Sequence, residues 1–155
     1  MKFIRYTTLR RKAFGAIVLL LIVGGWGIFA GCNDQQNEAG GRKFTDVSVL
    51  ENAFQHHQSN LQVTQQGHIV KVLPDDTRGT RHQRFLVKLS SGQTLLVAHN
   101  IDLAPRVPGL QTGETIIFHG EYEWNDKGGV IHWTHHDPDR EHENGYLEYH
   151  GKKYQ

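Results

Sequence analysis

Cysteine is nearly missing from this 155-residue chain. Cys32 stands alone, so no disulfide joins two of its segments, and the fold must rest on a core and hydrogen bonds. Acidic side chains are missing from the first 33 positions, and charge of either sign is missing from residues 13–31. Net positive charge is missing after Cys32. That part holds 12 of the 17 Lys and Arg but all 16 Asp and Glu, which leaves it at −4 with His neutral. Such a balance argues against general binding of nucleic acid, whose phosphates need grouped Lys and Arg. No segment repeats at a fixed period. The 123 residues after Cys32 suffice for one domain with a modest core.

What is present at the start is an address. Lys2, Arg5, Arg10, Arg11 and Lys12 precede the uncharged run, and Phe29-Ala30-Gly31-Cys32 closes it. A positive segment, an apolar stretch and small residues at a cleavage point form an export signal. The last four residues resemble a bacterial lipobox, with Phe29 where Leu is usual. The resemblance implies cleavage before Cys32 and lipidation of its sulfur. An uncleaved anchor is the second reading, because 19 apolar residues approach the about 20 that span a bilayer. A soluble secreted protein is the third. Each keeps the five cations in the cytoplasm and sends the remainder across the membrane, and the first two hold it in the bacterial envelope, facing the periplasm, with the membrane as first partner.

Residues 33–45 read as a flexible tether, since 33–43 carry no large apolar side chain. The folded domain is expected over 46–155. Asp46 is placed to cap a short helix over 46–60, with Val47, Leu50, Ala53, Phe54 and His57 at helical spacing. His56 and His57 read as a solvated helix end rather than a metal pair. Strands follow over 61–73, 83–89, 94–100, 115–124 and 130–136, separated by polar turns. Gly67 interrupts the first, which marks a bulge or bend. Residues 145–155 read as a hairpin turning at His150-Gly151, whose aromatics pack on the domain rather than stack on sugars or bases. The fold class is therefore mainly β, a small five-stranded barrel with one N-terminal helix and a C-terminal hairpin, behind a membrane-targeting helix.

The Leu110–Tyr122 segment, in which Gly113 precedes a strand broken by Gly120, resembles the fourth-strand entry of OB-fold barrels. That likeness covers roughly 61–136 and implies a closed barrel. An open five-stranded sheet is the competing architecture. His132-Trp133-Thr134-His135-His136-Asp137-Pro138, the terminal Gly151-Lys152-Lys153-Tyr154-Gln155, Arg81–Phe85 and Ala98–Pro105 together resemble a family of small exported bacterial proteins without assigned function. Tyr146 stands where that pattern has Trp. The resemblance implies domain identity and no activity.

All 11 histidines lie after Cys32. On a straight strand His132 and His136 would stand about 13 Å apart, too far to share one ion. A metal site there needs a bend after Thr134 or ligands from elsewhere. His135, His136, Asp137 and His142 form the best local set, with His99 and His132 as further candidates, and imidazole with carboxylate suits Zn, Cu or Ni. The bland alternative has these groups hydrogen-bonding the tail to the barrel. Arg81, His82, Arg84, His99, Asn100 and Trp133 make the expected binding face. The leading functional expectation is a non-enzymatic, membrane-tethered envelope module that binds a small ligand, a metal or an envelope protein. Two alternatives are weighed against it. One is a metal-assisted hydrolase using His99, His132 and His135, with Arg78, Arg81 and Arg84 at phosphate. The other is a haem or metal chaperone. Its basis is likeness to the cytochrome c haem chaperone, whose His-Asp-Glu-x-Tyr motif is only approached by His142-Glu143-Asn144-Gly145-Tyr146.

Overall fold

The computed structural model describes residues 41–155. The membrane-targeting segment, Cys32 and the first part of the tether lie outside the described residues. Helix α1 (Val47–Gln55) starts where expected, with the Asp46 carboxylate accepting from the Ser48 N–H at 2.9 Å. It ends short of residue 60, because His57 and Asn60 take left-handed φ values of 54° and 60°. Leu50 and Ala53 carry its buried face into the core. The end of the expected tether is docked rather than free. Thr45 donates its N–H to Thr64 O at 2.9 Å and accepts the Thr64 N–H on its hydroxyl at 3.0 Å, while Arg42 pairs with Glu148.

Seven strands follow: β1 (Leu61–Val72), β2 (His82–Lys88), β3 (Thr94–Asn100), β4 (Thr115–Glu123), β5 (Val130–His132), β6 (Tyr146–Tyr149) and β7 (Lys152–Tyr154). The first five run in the order β1-β2-β3-β5-β4, and β4 pairs back to β1, which closes the barrel. Only β3 and β5 are parallel. Five strands in this closed arrangement make an OB-type barrel. One strand must serve both neighbours, and β1 does so. It pairs with β4 from Leu61 to His68 and with β2 from His68 to Val72, with a register shift between Ile69 and Lys71. The changeover falls beside Gly67, where a side chain would meet Lys88 O at 3.1 Å and Val87 Cβ at 3.2 Å.

Alternation decides which side chains fill the interior. Phe85 and Val87 of β2, Leu95 and Val97 of β3, Ile116, Phe118 and Tyr122 of β4, and Ile131 of β5 all point inward. The irregular connection 101–114 sends Val107 into the same core. It is held there by the buried amide of Gln83, which donates to Val107 O at 2.8 Å and accepts the Val107 N–H at 2.9 Å. The terminal hairpin turns at His150-Gly151, both at positive φ, and buries Leu147, Tyr149 and Tyr154. β5 and β6 share one edge of β4, β5 along Glu121–Glu123 and β6 along Ile117–His119. No helix among the described residues is long and apolar enough to cross a membrane.

Candidate functional site

The outward faces of β2, β3 and β5 form a shallow groove. One recess of it, about 350 Å³, is lined by Thr80, His82, Ala98, Asn100, Leu103, His132, Trp133 and His135. Ala98, His82 and His132 continue into a second recess of about 270 Å³ that reaches Asp76, Arg84, Leu96 and Val130. Register explains the grouping. His82 pairs with Asn100 and Arg84 with Ala98 across β2–β3, so all four project outward together. His82 Nδ1–H donates to Thr80 O at 2.8 Å.

Two of the cations beside this groove, Arg81 and Arg84, already face carboxylates. Arg81 Nε donates to Asp102 Oδ1 at 2.6 Å, and Arg84 lies 3.6 Å from Asp76 Oδ2 while donating to Pro74 O. Arg78 stands 3.9 Å from the same Asp76. The Arg78 N–H holds the Asp76 carboxyl below its ordinary range, and the Arg81 N–H does the same for Asp102. Of the three arginines assigned to phosphate in the hydrolase expectation, Arg81 and Arg84 are thus engaged by carboxylates, while the Arg78 side chain is 96% exposed.

The strand expected over 130–136 stops at His132. Trp133 adopts φ 51°, which turns the chain off the ladder just before Thr134, the point after which a shared metal site would need a bend. From there to Gly145 the chain makes an excursion before rejoining β4 as β6. Asp137 organises it, its carboxylate accepting N–H groups from Asp139 at 3.0 Å, Glu141 at 2.6 Å and His142 at 2.7 Å. These bonds, His142 foremost, hold its carboxyl below the usual range. Asn144 Oδ1 accepts the Asp137 N–H, and Gly145 N–H closes the loop onto His135 O at 2.9 Å.

The residues proposed as a metal set are therefore distributed. Asp137 is occupied by backbone donors, His135 Nδ1–H donates to His136 O at 2.8 Å, and His136 faces solvent. His142 stacks on Trp133 with ring centres 3.7 Å apart. His56 donates to Asn52 O, and His57 lies against Trp124, so this pair finishes the helix as expected.

His99, grouped with the binding face by sequence, points the other way. It shares strand parity with Leu95 and Val97 and is fully buried. Its Nε2 faces Pro105 O at 3.2 Å, a carbonyl that only accepts, so Nε2 carries the proton. Nδ1 then accepts from the Thr134 hydroxyl at 2.9 Å. Burial pushes its pKa down to about 4, against the partial support of these two bonds. A neutral imidazole with both nitrogens taken ties the 101–114 connection to the end of β5 and leaves no atom free for acid–base chemistry.

The structure instead brings together three groups of which two, Glu121 and Glu123, the sequence reasoning missed. With His132 they place ligand-capable atoms within 4.8 Å of one another. Burial, then the neighbouring Glu123, raises the proton affinity of Glu121, with His142 opposing. Burial lowers that of His132. The signal was the Glu121-x-Glu123 spacing, which puts both carboxylates on one strand face. Opposing His132 to them required the β4–β5 register.

A search of curated protein sequences finds no match to the chain. Residues 38–155, which contain the whole barrel, its groove and the terminal hairpin, match the family model described as "Protein of unknown function (DUF3465)", and the chain belongs to that family.

Proposed function

We propose that this chain is a non-enzymatic binding module of the bacterial envelope, tethered to the membrane at the segment ending in Cys32. It holds a small uncharged polar ligand, a sugar unit by chemistry, in the groove across β2, β3 and β5. The observation that carries this reading is the character of that groove. It offers the indole of Trp133, the apolar Ala98 and Leu103, and the polar edges of His82 and Asn100, while Arg81 and Arg84 face Asp102 and Asp76. Aromatic and apolar surface with a few placed polar groups suits a neutral ring, and internally paired cations have little left for phosphate. The engagement of His99 on both sides weighs against the hydrolase alternative. Support for the tether is the lipobox-like sequence alone.

The test uses the full chain in detergent micelles, titrated calorimetrically with chitotetraose and separately with heparin. Saturable binding of the neutral oligosaccharide, weakened at least about tenfold by Trp133→Ala, and no saturable binding of the polyanion are expected. Heparin binding with no response to chitotetraose overturns the ligand assignment.

A further inference from the structure

We propose that Glu121, Glu123 and His132 form a divalent transition-metal site on the outer wall of the barrel, with His142 as a fourth donor. The β4–β5 register places Glu121 directly opposite His132, and Glu123 lies two residues along the same face. Their ligand atoms lie within 4.8 Å of one another. His132 Nε2 is shielded from solvent and has no hydrogen-bond partner. Glu121 Oε1 stands 3.7 Å from it, beyond hydrogen-bond range. That spacing is close to the roughly 3.4 Å separating two donors held at about 2.1 Å around a tetrahedral ion.

Charge points the same way. Among the described residues no Lys or Arg pairs with either carboxylate, and the ion-pair partners of Glu121 are His132 and His142. Two neighbouring carboxylates and an imidazole with a buried, unused nitrogen lack one thing, a positive charge between them. His142 Nδ1 lies 3.9 Å from Glu121 Oε2. Its place is fixed by the stack on Trp133 and by its N–H bond to Asp137. Two carboxylates with two imidazoles suit ions of the zinc class rather than calcium or magnesium, which prefer all-oxygen sets. The proposal does not rest on the sugar reading, although His132 also lines the groove and His142 stacks on its Trp133.

The experiment takes the full chain in detergent micelles, stripped with a chelator, and titrates Zn²⁺ against a chromophoric competitor. Co²⁺ is added in parallel to report geometry by its visible absorption. One equivalent of Zn²⁺ and a tetrahedral Co²⁺ spectrum are expected. The isosteric pair E121Q/E123Q is expected to weaken Zn²⁺ binding by about 100-fold or more and abolish that spectrum. Zn²⁺ also raises the thermal midpoint of the natural chain and not that of the variant. If the double variant does not fold, His132→Gln gives the same readings. His136→Ala, at an exposed position outside the site, leaves binding unchanged. Absence of stoichiometric binding, full binding by E121Q/E123Q, or loss of binding in His136→Ala alone would overturn the proposal. Chitotetraose titration of the same samples reads the groove separately.

Discussion

Replacing His99 by glutamine removes the one buried imidazole that spans two otherwise separate pieces of chain. In the fold its pKa is pushed down to about 4, against 6.5 for the free side chain. Above pH 6.5 the ring is neutral in both folded and unfolded chains, and its whole contribution is present. As pH falls from 6.5 the unfolded chain takes a proton that the folded chain refuses, so stability is lost progressively until about pH 4. Between pH 7.5 and 4.5 the linkage amounts to about 2.5 kcal/mol. Glutamine has no such titration. The assay is urea unfolding of the two proteins at pH 7.5, 5.5 and 4.5. At pH 7.5 the variant is expected to be less stable by about 1–3 kcal/mol, through the Pro105 carbonyl and Thr134 hydroxyl it leaves poorly matched. That deficit should shrink by about 2.5 kcal/mol, or reverse, by pH 4.5. A deficit that stays constant with pH would refute the assignment of His99 as a neutral buried staple.

Gln83→Ala strips both backbone partners from Val107. A loss of about 2–3 kcal/mol and faster amide exchange across 101–114 are expected, with native-like exchange in that connection as the contrary result. Gly145→Ala places a carbon 1.9 Å from Trp133 O and 2.7 Å from His119 O. It should cost about 3 kcal/mol and detach β6 from β4, visible as loss of exchange protection at Leu147, whereas an unchanged melting midpoint would contradict the packing. Cys32→Ala should abolish incorporation of labelled palmitate in a Gram-negative host and shift the chain's membrane partition; equal labelling would remove the lipobox reading.

Strand placement was legible because Phe85, Val87, Leu95 and Val97 alternate cleanly with polar neighbours. The same alternation gives the side of His99, whose parity matches Leu95 and Val97. Reading it as a surface ligand gave its chemistry precedence over its position. The end of β5 was not legible, since nothing local marks Trp133 for positive φ. The interlocking of Gly145 with Trp133 and His119 is a tertiary matter. The sequence leaves Asp137 open between metal ligand and hydrogen-bonding group of the tail, and an Asp before Pro138 in a turn-rich stretch favours the second, as a side-chain cap of backbone N–H groups. Glu121 and Glu123 were invisible as partners of His132 because pairing between β4 and β5 is fixed by barrel closure, which no single strand encodes.

Ligand binding in the groove is tested by following the amide, imidazole and indole resonances of the full chain in micelles as chitotetraose is added. Shifts are expected to concentrate at His82, Ala98, Asn100 and the Trp133 indole, with Val70 and Val72 on β1 unmoved. Shifts centred on β1 or the terminal hairpin, or none at saturating sugar, would contradict it.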